Sequence, residues 1–143
     1  MLPDKIQLDI VTPERSVLSE LVDEVILPRS EGYLGLRPGH APLLTNLKVG
    51  TIQIRKGSEQ RFLAVSWGFV EVLPDRVSIL ARTAEKAEEI DVDRAMRARE
   101  RAGERLKSSD PDVDFTRAQL ALEKALIRTQ VASKAGAAWR GET

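Results

Sequence analysis

The sequence contains no cysteine and a single histidine, His40, among its 143 residues. The lack of cysteine excludes disulfides, thiolate metal sites and thiol catalysis, and one histidine excludes a histidine-rich metal site. The 22 basic and 22 acidic residues give a formal net charge of zero. Because no overall charge favours nucleic acid or an anionic membrane surface, we expect no nucleic-acid partner.

Long hydrophobic runs are also missing. No apolar run approaches the roughly 18 residues that a membrane span needs. The N-terminal stretch MLPDKIQLDIVTPE has neither the apolar segment of a signal peptide nor the Arg-rich pattern of a transit peptide. We therefore expect a chain that does not insert into a membrane and that stays in the cytoplasm where it is made.

Residues 1–84 show an apolar pattern with a period of two, as in KIQLDIV, TIQIRK, GFVEVLP and RVSILA. Strict alternation over five to seven residues indicates half-buried strands, and turn segments rich in Gly, Pro and Asp separate them. The pattern predicts an all-β N-terminal domain, either a flattened antiparallel β-sandwich or a flattened barrel. The positions predicted to face its core include Ile6, Leu8, Ile10, Ile52, Ile54, Val70, Val72, Val77 and Ile79.

Residues 85–143 change to a helical pattern in which Ala, Glu, Arg and Leu dominate. We predict helices over about 91–107 and 111–133, joined as an antiparallel hairpin because their connection is short. Asp91 is a good N-cap for the first helix, and Asp110 followed by Pro111 is predicted to start the second. The predicted seam consists of Ala95, Ala98, Ala102, Leu106, Phe115, Ala118, Leu122, Ala125, Thr129 and Ala132.

Alanine at this seam lets the two helices approach closely but buries little area. At about 25 cal/mol per Å² of apolar surface, an alanine-lined seam is much weaker than a leucine-lined one. We therefore expect a hairpin that is marginally held and able to move.

Catalytic motifs are absent from the sequence. There is no Gly-x-Ser-x-Gly elbow, GYLGLRPG lacks the Gly-Lys-Ser/Thr ending of a phosphate loop, and Ser66 has no nearby base in sequence. No pair of carboxylates stands out among the 22 acidic residues. The sequence therefore predicts a chain that is not an enzyme.

The segment EKAEEIDVDRA, residues 85–95, allows two interpretations. In the first, Asp91 and Asp93 only cap and stabilise the first turn of a helix. The second notes that residues 94–107 hold six basic residues against two acidic ones. Such a basic hairpin can grip phosphates or lie in an acidic groove of a partner protein, and the pattern alone leaves these open.

The stretch EGYLGLRPGHAPLL, residues 31–44, also has two interpretations. It is either a rigid, turn-rich loop in which three glycines supply a permissive backbone and two prolines fix φ, or a surface offered to a partner. The mixture of apolar Tyr33 and Leu34 with charged Glu31 and Arg37 is typical of an interface. In the first interpretation His40 acts as a local hydrogen-bonding residue.

Two long segments carry a family resemblance. EGYLGLRPGHAPLLTNLKVG followed by FLAVSWGFVEVLPDRVSILARTAEKAEEIDVDRA resembles the bacterial-type epsilon subunit of the F-type ATP synthase. The similarity runs essentially from end to end. Its most specific pieces are LRPGHAPLL, VSWGFVEV and EEIDVDRA, which occur together at the expected separations.

The resemblance implies a non-catalytic rotor subunit of a proton-translocating F-type ATP synthase. In that family a sandwich of about ten strands sits at the foot of the central stalk, where it packs on the gamma subunit and touches the c-ring. The implied location is peripheral, on the cytoplasmic side of the bacterial cell membrane. The implied contacts with gamma and the ring are Glu31, Tyr33, Leu34, Arg37 and His40.

The resemblance also implies a mobile regulatory hairpin at residues 85–143. In the family the hairpin either lies on the sandwich or extends along gamma into the alpha/beta hexamer, where it blocks rotation in the hydrolysis direction. At 1.5 Å per residue, the two predicted helices end to end would reach roughly 60 Å, which suits this role.

Some family members bind ATP on the folded hairpin through the motif Ile-Asp-x-x-Arg-Ala. The resemblance implies no required cofactor and no protein metal ligand, with ATP as a regulatory ligand. Lys124 stands where an arginine is usual, which keeps the charge but loses the bidentate fork. The implied ATP contacts are Glu85, Ile90, Asp91, Arg94, Ala95, Arg101, Lys124 and Arg128.

Two other classes of function remain open. One is a free-standing ATP-sensing regulatory protein with no rotary partner. The other is a scaffold or chaperone, which would require apolar helix faces, whereas the exposed faces here are rich in Arg and Glu.

Overall fold

The computed structural model describes residues 3–135, so the predicted domain ends at 1–2 and 136–143 lie outside the described residues. None of the helices in this range has the length and apolar character needed to cross a bilayer. The elements are β1 (Ile6–Val11), β2 (Ser16–Val22), β3 (Glu24–Arg29), β4 (Gly32–Leu36), β5 (Leu43–Leu47), β6 (Gly50–Lys56), β7 (Glu59–Leu73), β8 (Arg76–Lys86), a 3-10 turn (Ala87–Glu89), α1 (Val92–Lys107) and α2 (Phe115–Ala132).

The strands form a β-sandwich, followed by the helical hairpin, so the predicted fold class is confirmed. The strand order is β2-β1-β8-β7-β6-β3-β4, with β5 paired to β7. The first part of β7, residues 59–65, pairs with β6, and its second part, residues 68–72, pairs with β5. Long β7 thus changes neighbours along its length and belongs to both layers.

Two details differ from the expected sandwich. The described residues contain eight strands rather than about ten, because β7 and β8 run unbroken for 15 and 11 residues. One pairing, between residues 7–11 of β1 and 76–80 of β8, is parallel rather than antiparallel. These strands are distant in sequence, so no tight hairpin forces them to run in opposite directions.

The core of the sandwich is formed by the alternating apolar residues. All nine positions named above as core-facing are no more than 1 % exposed, which confirms the strand pattern. Because burial of apolar surface is the main favourable term in folding, these side chains determine which face of each strand turns inward.

Residues 31–44 are only partly a loop, and this corrects the prediction. Gly32–Leu36 forms β4, which pairs antiparallel with β3. Gly32 and Gly39 adopt positive φ values of 110° and 89°, which favour glycine. A Cβ on Gly35 would meet only Ile26 Cγ1 at 4.0 Å, so no special backbone is needed there. The stiffness of this stretch comes from sheet pairing and not from turns alone.

The helix starts confirm one predicted cap and correct the other. The Asp91 carboxylate accepts the Arg94 N–H at 3.1 Å, as predicted for α1. The second helix begins at Phe115, where Asp114 accepts the Arg117 N–H at 3.1 Å, and not at Pro111. The Asp110 carboxylate instead accepts the Asp112 N–H at 2.9 Å, an Asx turn that competes with helix initiation.

The seam between α1 and α2 is lined by alanine as predicted, with Ala95, Ala102, Ala118 and Ala125 buried. Phe115 is an exception, because it is the first residue of α2, next to the connection between the two helices, and is 47 % exposed. The remaining predicted seam residues Ala98, Leu106, Leu122, Thr129 and Ala132 are half-buried.

A second face of α2 packs on the sandwich. Val131, which was not predicted, is fully buried in a cluster with Ala64 of β7, Ala87 of the 3-10 turn, Ile90 and Ala95. Phe62 of β7 and Ile127 of α2 are half-buried and pack against this cluster, so the hairpin docks on the sandwich through a small apolar contact.

Candidate functional site

Three of the four motif residues Ile90, Asp91, Arg94 and Ala95 have a structural role. Ile90 and Ala95 are buried in the cluster beneath the hairpin, and the Asp91 carboxylate caps α1. These contacts fix the start of α1 against the sandwich. Arg94 is exposed, so its side chain is the member of the motif that is free to meet a ligand.

Arg94 lines a cleft of about 300 Å³ between β7, β8 and α2, which we call the motif cleft. Four predicted nucleotide contacts meet there, since Glu85, Lys124 and Arg128 line the same cleft. The other residues of its wall are Val49, Ala64, Val65, Ser66, Thr83 and Ile127.

Glu85 and Arg128 form a bidentate ion pair across this cleft. Arg128 Nε lies 2.8 Å from Glu85 Oε1, and Nη2 lies 3.2 Å from Oε2. The pair joins α2 to β8 and therefore ties the hairpin to the sandwich. A phosphate entering the motif cleft has to compete with Glu85 for the arginine fork.

Two lysines add cation–π contacts between the hairpin and β7. Lys124 Nζ is 5.7 Å from the centre of the Trp67 ring, and Lys134 Nζ is 4.6 Å from that of Phe62. Such contacts are worth about 0.5–1 kcal/mol at exposed sites. They strengthen the docking only modestly.

Arg101 is not brought into the motif cleft. It lies seven residues beyond Arg94 on α1, about 10 Å along the axis, and is exposed to solvent. The role of this residue in nucleotide binding, like that of the other seven, stays a prediction.

The hydroxyls of Ser66 and Thr83 also line the motif cleft, and no sequence pattern placed them there. Ser66 is buried, and its Oγ lies 2.5 Å from Thr83 Oγ1. The serine therefore shares its hydrogen bond with another hydroxyl and not with a base. In the range 3–135, no three His, Asp or Glu side chains gather into a group that could hold a metal ion.

The residues predicted to contact a partner differ in exposure. Glu31, just before β4, and Tyr33, on β4, are both exposed. The Tyr33 hydroxyl accepts the Thr51 N–H at 3.3 Å. Leu34 is half-buried and packs against the core, so it supports the sheet from within.

The turn after β4 holds Arg37 and His40. Arg37 donates from Nε to Glu24 Oε2 at 2.8 Å, and this hydrogen bond raises the pKa of the guanidinium. His40 is half-buried, with Nδ1 2.7 Å from the Ala41 carbonyl oxygen. The histidine is thus a local hydrogen-bonding residue, as expected.

A contiguous exposed apolar surface was missed by the sequence patterns. Leu44, Phe69 and Leu80 are 77 %, 72 % and 58 % exposed on β5, β7 and β8 and line one shallow apolar depression. Phe69 is paired with Leu80, and Leu80 with Val11 of β1. We call Val11, Leu44, Phe69 and Leu80 the apolar patch. Contiguous exposed apolar surface of this kind is a candidate protein interface.

Two family models divide the chain in the same way as the fold. Residues 5–87 match the ATP synthase Delta/Epsilon chain beta-sandwich domain, and residues 88–133 match the Delta/Epsilon chain long alpha-helix domain. The chain therefore belongs to the family of ATP synthase delta/epsilon chains.

Relatives within this family are closely similar. The ATP synthase epsilon chain of Syntrophobacter fumaroxidans is 52 % identical over 133 residues, which cover 93 % of this chain and 99 % of the relative. The ATP synthase epsilon chain of Desulforamulus reducens is 49 % identical, covering 88 % and 96 %. The resemblance inferred from LRPGHAPLL, VSWGFVEV and EEIDVDRA is confirmed.

Solved structures show the same fold. A chain of the Euglena gracilis mitochondrial ATP synthase, in a structure of OSCP, F1 and c-ring, superposes with a TM-score of 0.80 at 25 % identity, covering 93 % of this chain and 84 % of the other. A chain from the Tetrahymena thermophila central stalk and c-ring has the same fold at a TM-score of 0.58 and 18 % identity, covering 94 % and 98 %.

Proposed function

We propose that this chain is a non-catalytic central-stalk subunit of a proton-translocating F-type ATP synthase, part of the rotor that couples the catalytic sector to the membrane ring. The observation that carries the proposal is that both halves of the chain match the ATP synthase delta/epsilon family, and the apolar patch supplies a surface for a permanent partner. Permanent interfaces are more apolar than the rest of a protein surface. Its partners are the gamma subunit, the c-ring and the alpha/beta hexamer, and relatives named ATP synthase epsilon chain support this assignment.

The apolar patch suits the gamma subunit, because a stalk must transmit torque through an interface that does not dissociate. The polar edge formed by Glu31, Tyr33 and Arg37 suits the polar loops of the c-ring. Leu34 packs against the core, and His40 contacts the Ala41 carbonyl oxygen. The chain is then a peripheral protein on the cytoplasmic side of the bacterial cell membrane.

Ser66 and His40 are the side chains best suited to catalysis, and their hydrogen bonds support a non-catalytic role. Ser66 is hydrogen-bonded to Thr83 and His40 to a carbonyl oxygen. Neither side chain forms the nucleophile–base pair that covalent catalysis needs.

The hairpin is the regulatory part of the proposal. Its docking on the sandwich rests on a single apolar cluster, the Glu85–Arg128 pair and two cation–π contacts. A partly exposed ion pair contributes about 1 kcal/mol or less, so the folded and extended states differ by only a few kcal/mol. Extended, the two helices span about 50 Å and would block rotation in the hydrolysis direction.

Removing the hairpin tests whether the sandwich alone binds the stalk and the hairpin alone inhibits ATP hydrolysis. We expect residues 1–87 to bind the stalk as tightly as the full chain, because the apolar patch is retained, while inhibition of ATP hydrolysis is lost. Co-purification with the catalytic sector and its ATPase rate measure the two effects. A truncated chain that folds but no longer binds the stalk would contradict the placement of the interface on the sandwich.

ATP is proposed as a regulatory ligand of the folded hairpin, held in the motif cleft by Arg94, Lys124 and Arg128. The same cleft supports the alternative of a free-standing ATP sensor. Co-purification separates the two functions, because a sensor would be isolated without alpha, beta and gamma subunits.

Titration calorimetry of ATP into the full chain tests nucleotide binding. Arg94→Ala is expected to weaken ATP binding about tenfold or more, because a hydrogen bond to a charged group contributes about 1.5–3 kcal/mol. Arg99→Ala is the matched control, since Arg99 is exposed on the same helix and does not line the motif cleft. Equal affinities of the two variants would contradict a role for Arg94.

A further inference from the structure

The junction between the sandwich and the hairpin comprises residues 87–91. Strand β8 ends at Lys86, the 3-10 turn spans Ala87–Glu89, and α1 begins at Val92. A hairpin that leaves the sandwich as a body rotates about backbone bonds in this junction, because such movements are absorbed by a few loop or element-terminal residues. The contacts of the junction residues therefore decide where the rotation occurs.

The Glu89 carboxylate holds the 3-10 turn on the sandwich. Arg15, in the turn between β1 and β2, donates from Nη2 to Glu89 Oε2 at 2.9 Å and to Oε1 at 3.2 Å. Glu89 Oε1 also accepts the Lys86 N–H at 3.1 Å. One side chain thus ties the end of the 3-10 turn both to β8 and to the β1–β2 turn. We call the Arg15–Glu89 ion pair the junction clamp.

The β1–β2 turn is a firm support for this clamp. The Thr12 N–H donates to the Arg15 carbonyl oxygen at 2.9 Å, and Thr12 Oγ1 accepts the Arg15 N–H at 3.4 Å. Thr12 itself is buried. On the other side of the clamp, Ala87 of the 3-10 turn is buried in one cluster with Ala64 of β7. The 3-10 turn is therefore fixed to the sandwich at both of its ends.

Asp91 belongs to the hairpin. Its carboxylate accepts the Arg94 N–H at 3.1 Å, and its carbonyl oxygen accepts the Ala95 N–H at 3.0 Å. Because an N-cap completes the hydrogen bonding of the first helical turn, Asp91 moves together with α1.

Ile90 lies between these two fixed parts. Its backbone is extended, with φ −76° and ψ 126°, and its N–H reaches the Ala87 carbonyl oxygen only at 3.4 Å, which is long for a hydrogen bond. Its side chain is buried in one cluster with Ala95 and Val131 of the hairpin. When the hairpin leaves, Ile90 loses these neighbours, and little else holds its backbone in one conformation.

We infer that the hairpin turns about Ile90 and the φ angle of Asp91, and that the junction clamp keeps the 3-10 turn on the sandwich throughout the movement. This inference deepens the proposed regulatory role of the hairpin and rests on it. The two ion pairs at its base then differ in role. The Glu85–Arg128 pair joins β8 to α2 across the pivot and breaks when the hairpin leaves, whereas both residues of the junction clamp precede the pivot.

Cross-links test the position of the pivot, because the chain has no cysteine of its own. The Arg15→Cys/Glu89→Cys chain is joined with a short bismaleimide. Glu85→Cys/Arg128→Cys is the matched control, since it replaces an ion pair of the same residue types that crosses the pivot. Both pairs are introduced together with Val131→Asp, which places a carboxylate in the buried apolar cluster and drives the hairpin off the sandwich.

Quenching of Trp67 fluorescence by acrylamide reports the release, because Lys124 of α2 lies over the Trp67 ring. Trp139, the other tryptophan of the chain, is replaced by phenylalanine. The 15–89 link is expected to leave Trp67 as accessible as in the unlinked Val131→Asp chain, whereas the 85–128 link restores its protection. Protection restored by both links would place the pivot before Glu89 and overturn the inference.

Two further outcomes of this experiment would also overturn the inference. If positions 15 and 89 fail to link in the released chain, the 3-10 turn has left the sandwich. If Trp67 stays protected in the unlinked Val131→Asp chain, the hairpin does not turn about residues 90–91 when its apolar contact is lost.

The same links in the assembled enzyme, without Val131→Asp, separate the inference from the proposed function. Inhibition of ATP hydrolysis is expected to survive the 15–89 link and to be lost with the 85–128 link. Inhibition lost with both links would again place the pivot before Glu89. A chain that never inhibits would contradict the regulatory role, while the quenching experiment still locates the pivot in the isolated chain.

Discussion

Gly68→Ala is expected to lower the free energy of unfolding of the sandwich by at least about 3 kcal/mol. A Cβ built on Gly68 would lie 1.8 Å from the carbonyl oxygen of Leu80 and 3.0 Å from Cα of Ala81. These atoms belong to the backbone of β8, so no side chain can rotate away. Strands β7 and β8 would have to separate locally to admit a single methyl group.

The position of Gly68 explains why the effect is large. Val65 is paired with Gly50 of β6, whereas Gly68 is paired with Leu47 of β5. The substitution therefore falls where β7 passes from one neighbour to the other. Separation of β7 and β8 at this point disturbs both layers of the sandwich.

Chemical denaturation followed by circular dichroism measures the loss, with Gly103→Ala as the control. A Cβ on Gly103 meets nothing within 4 Å, and alanine is favoured over glycine inside a helix by about 1 kcal/mol. We expect Gly103→Ala to be neutral or stabilising. A Gly68→Ala chain within about 1 kcal/mol of the wild type would show that the two strands adjust without strain.

Leu80→Asp is expected to weaken binding to the central stalk at least about 30-fold, or 2 kcal/mol, without unfolding the chain. Leu80 is 58 % exposed in the isolated chain, so aspartate remains solvated there. In the complex its carboxylate would be buried in the apolar patch without a partner, and burial of an unpaired charge is costly.

Leu21→Asp is a closely matched control for this prediction. Leu21 is 54 % exposed and lies on β2, which is paired with β1 and is not part of the apolar patch. The same substitution at a similar exposure should leave stalk binding within a factor of two or three. Surface plasmon resonance against the purified gamma subunit compares the variants. Equal losses from both variants would refute the assignment of the apolar patch as the docking surface.

Local patterns in the sequence predicted much of the fold. The alternation in KIQLDIV placed Leu8 in the core correctly, because the strand has one buried face. The Asp91 cap was found because its partner, the Arg94 N–H, is three residues away. Errors arose where local signals competed. Asp110 and Asp114 are both able to accept backbone N–H groups, and the structure uses one for an Asx turn and the other for the helix cap.

The sequence by itself determined the class of each half, the start of α1 and, through its motifs, the family. These features depend on interactions between residues close in the chain. Only the tertiary structure decided the parallel pairing of β1 with β8, the ion pair between Glu85 and Arg128, 43 residues apart, and the assembly of the apolar patch from four strands. These contacts depend on which distant strands and helices become neighbours, and a local period in the sequence does not specify that choice.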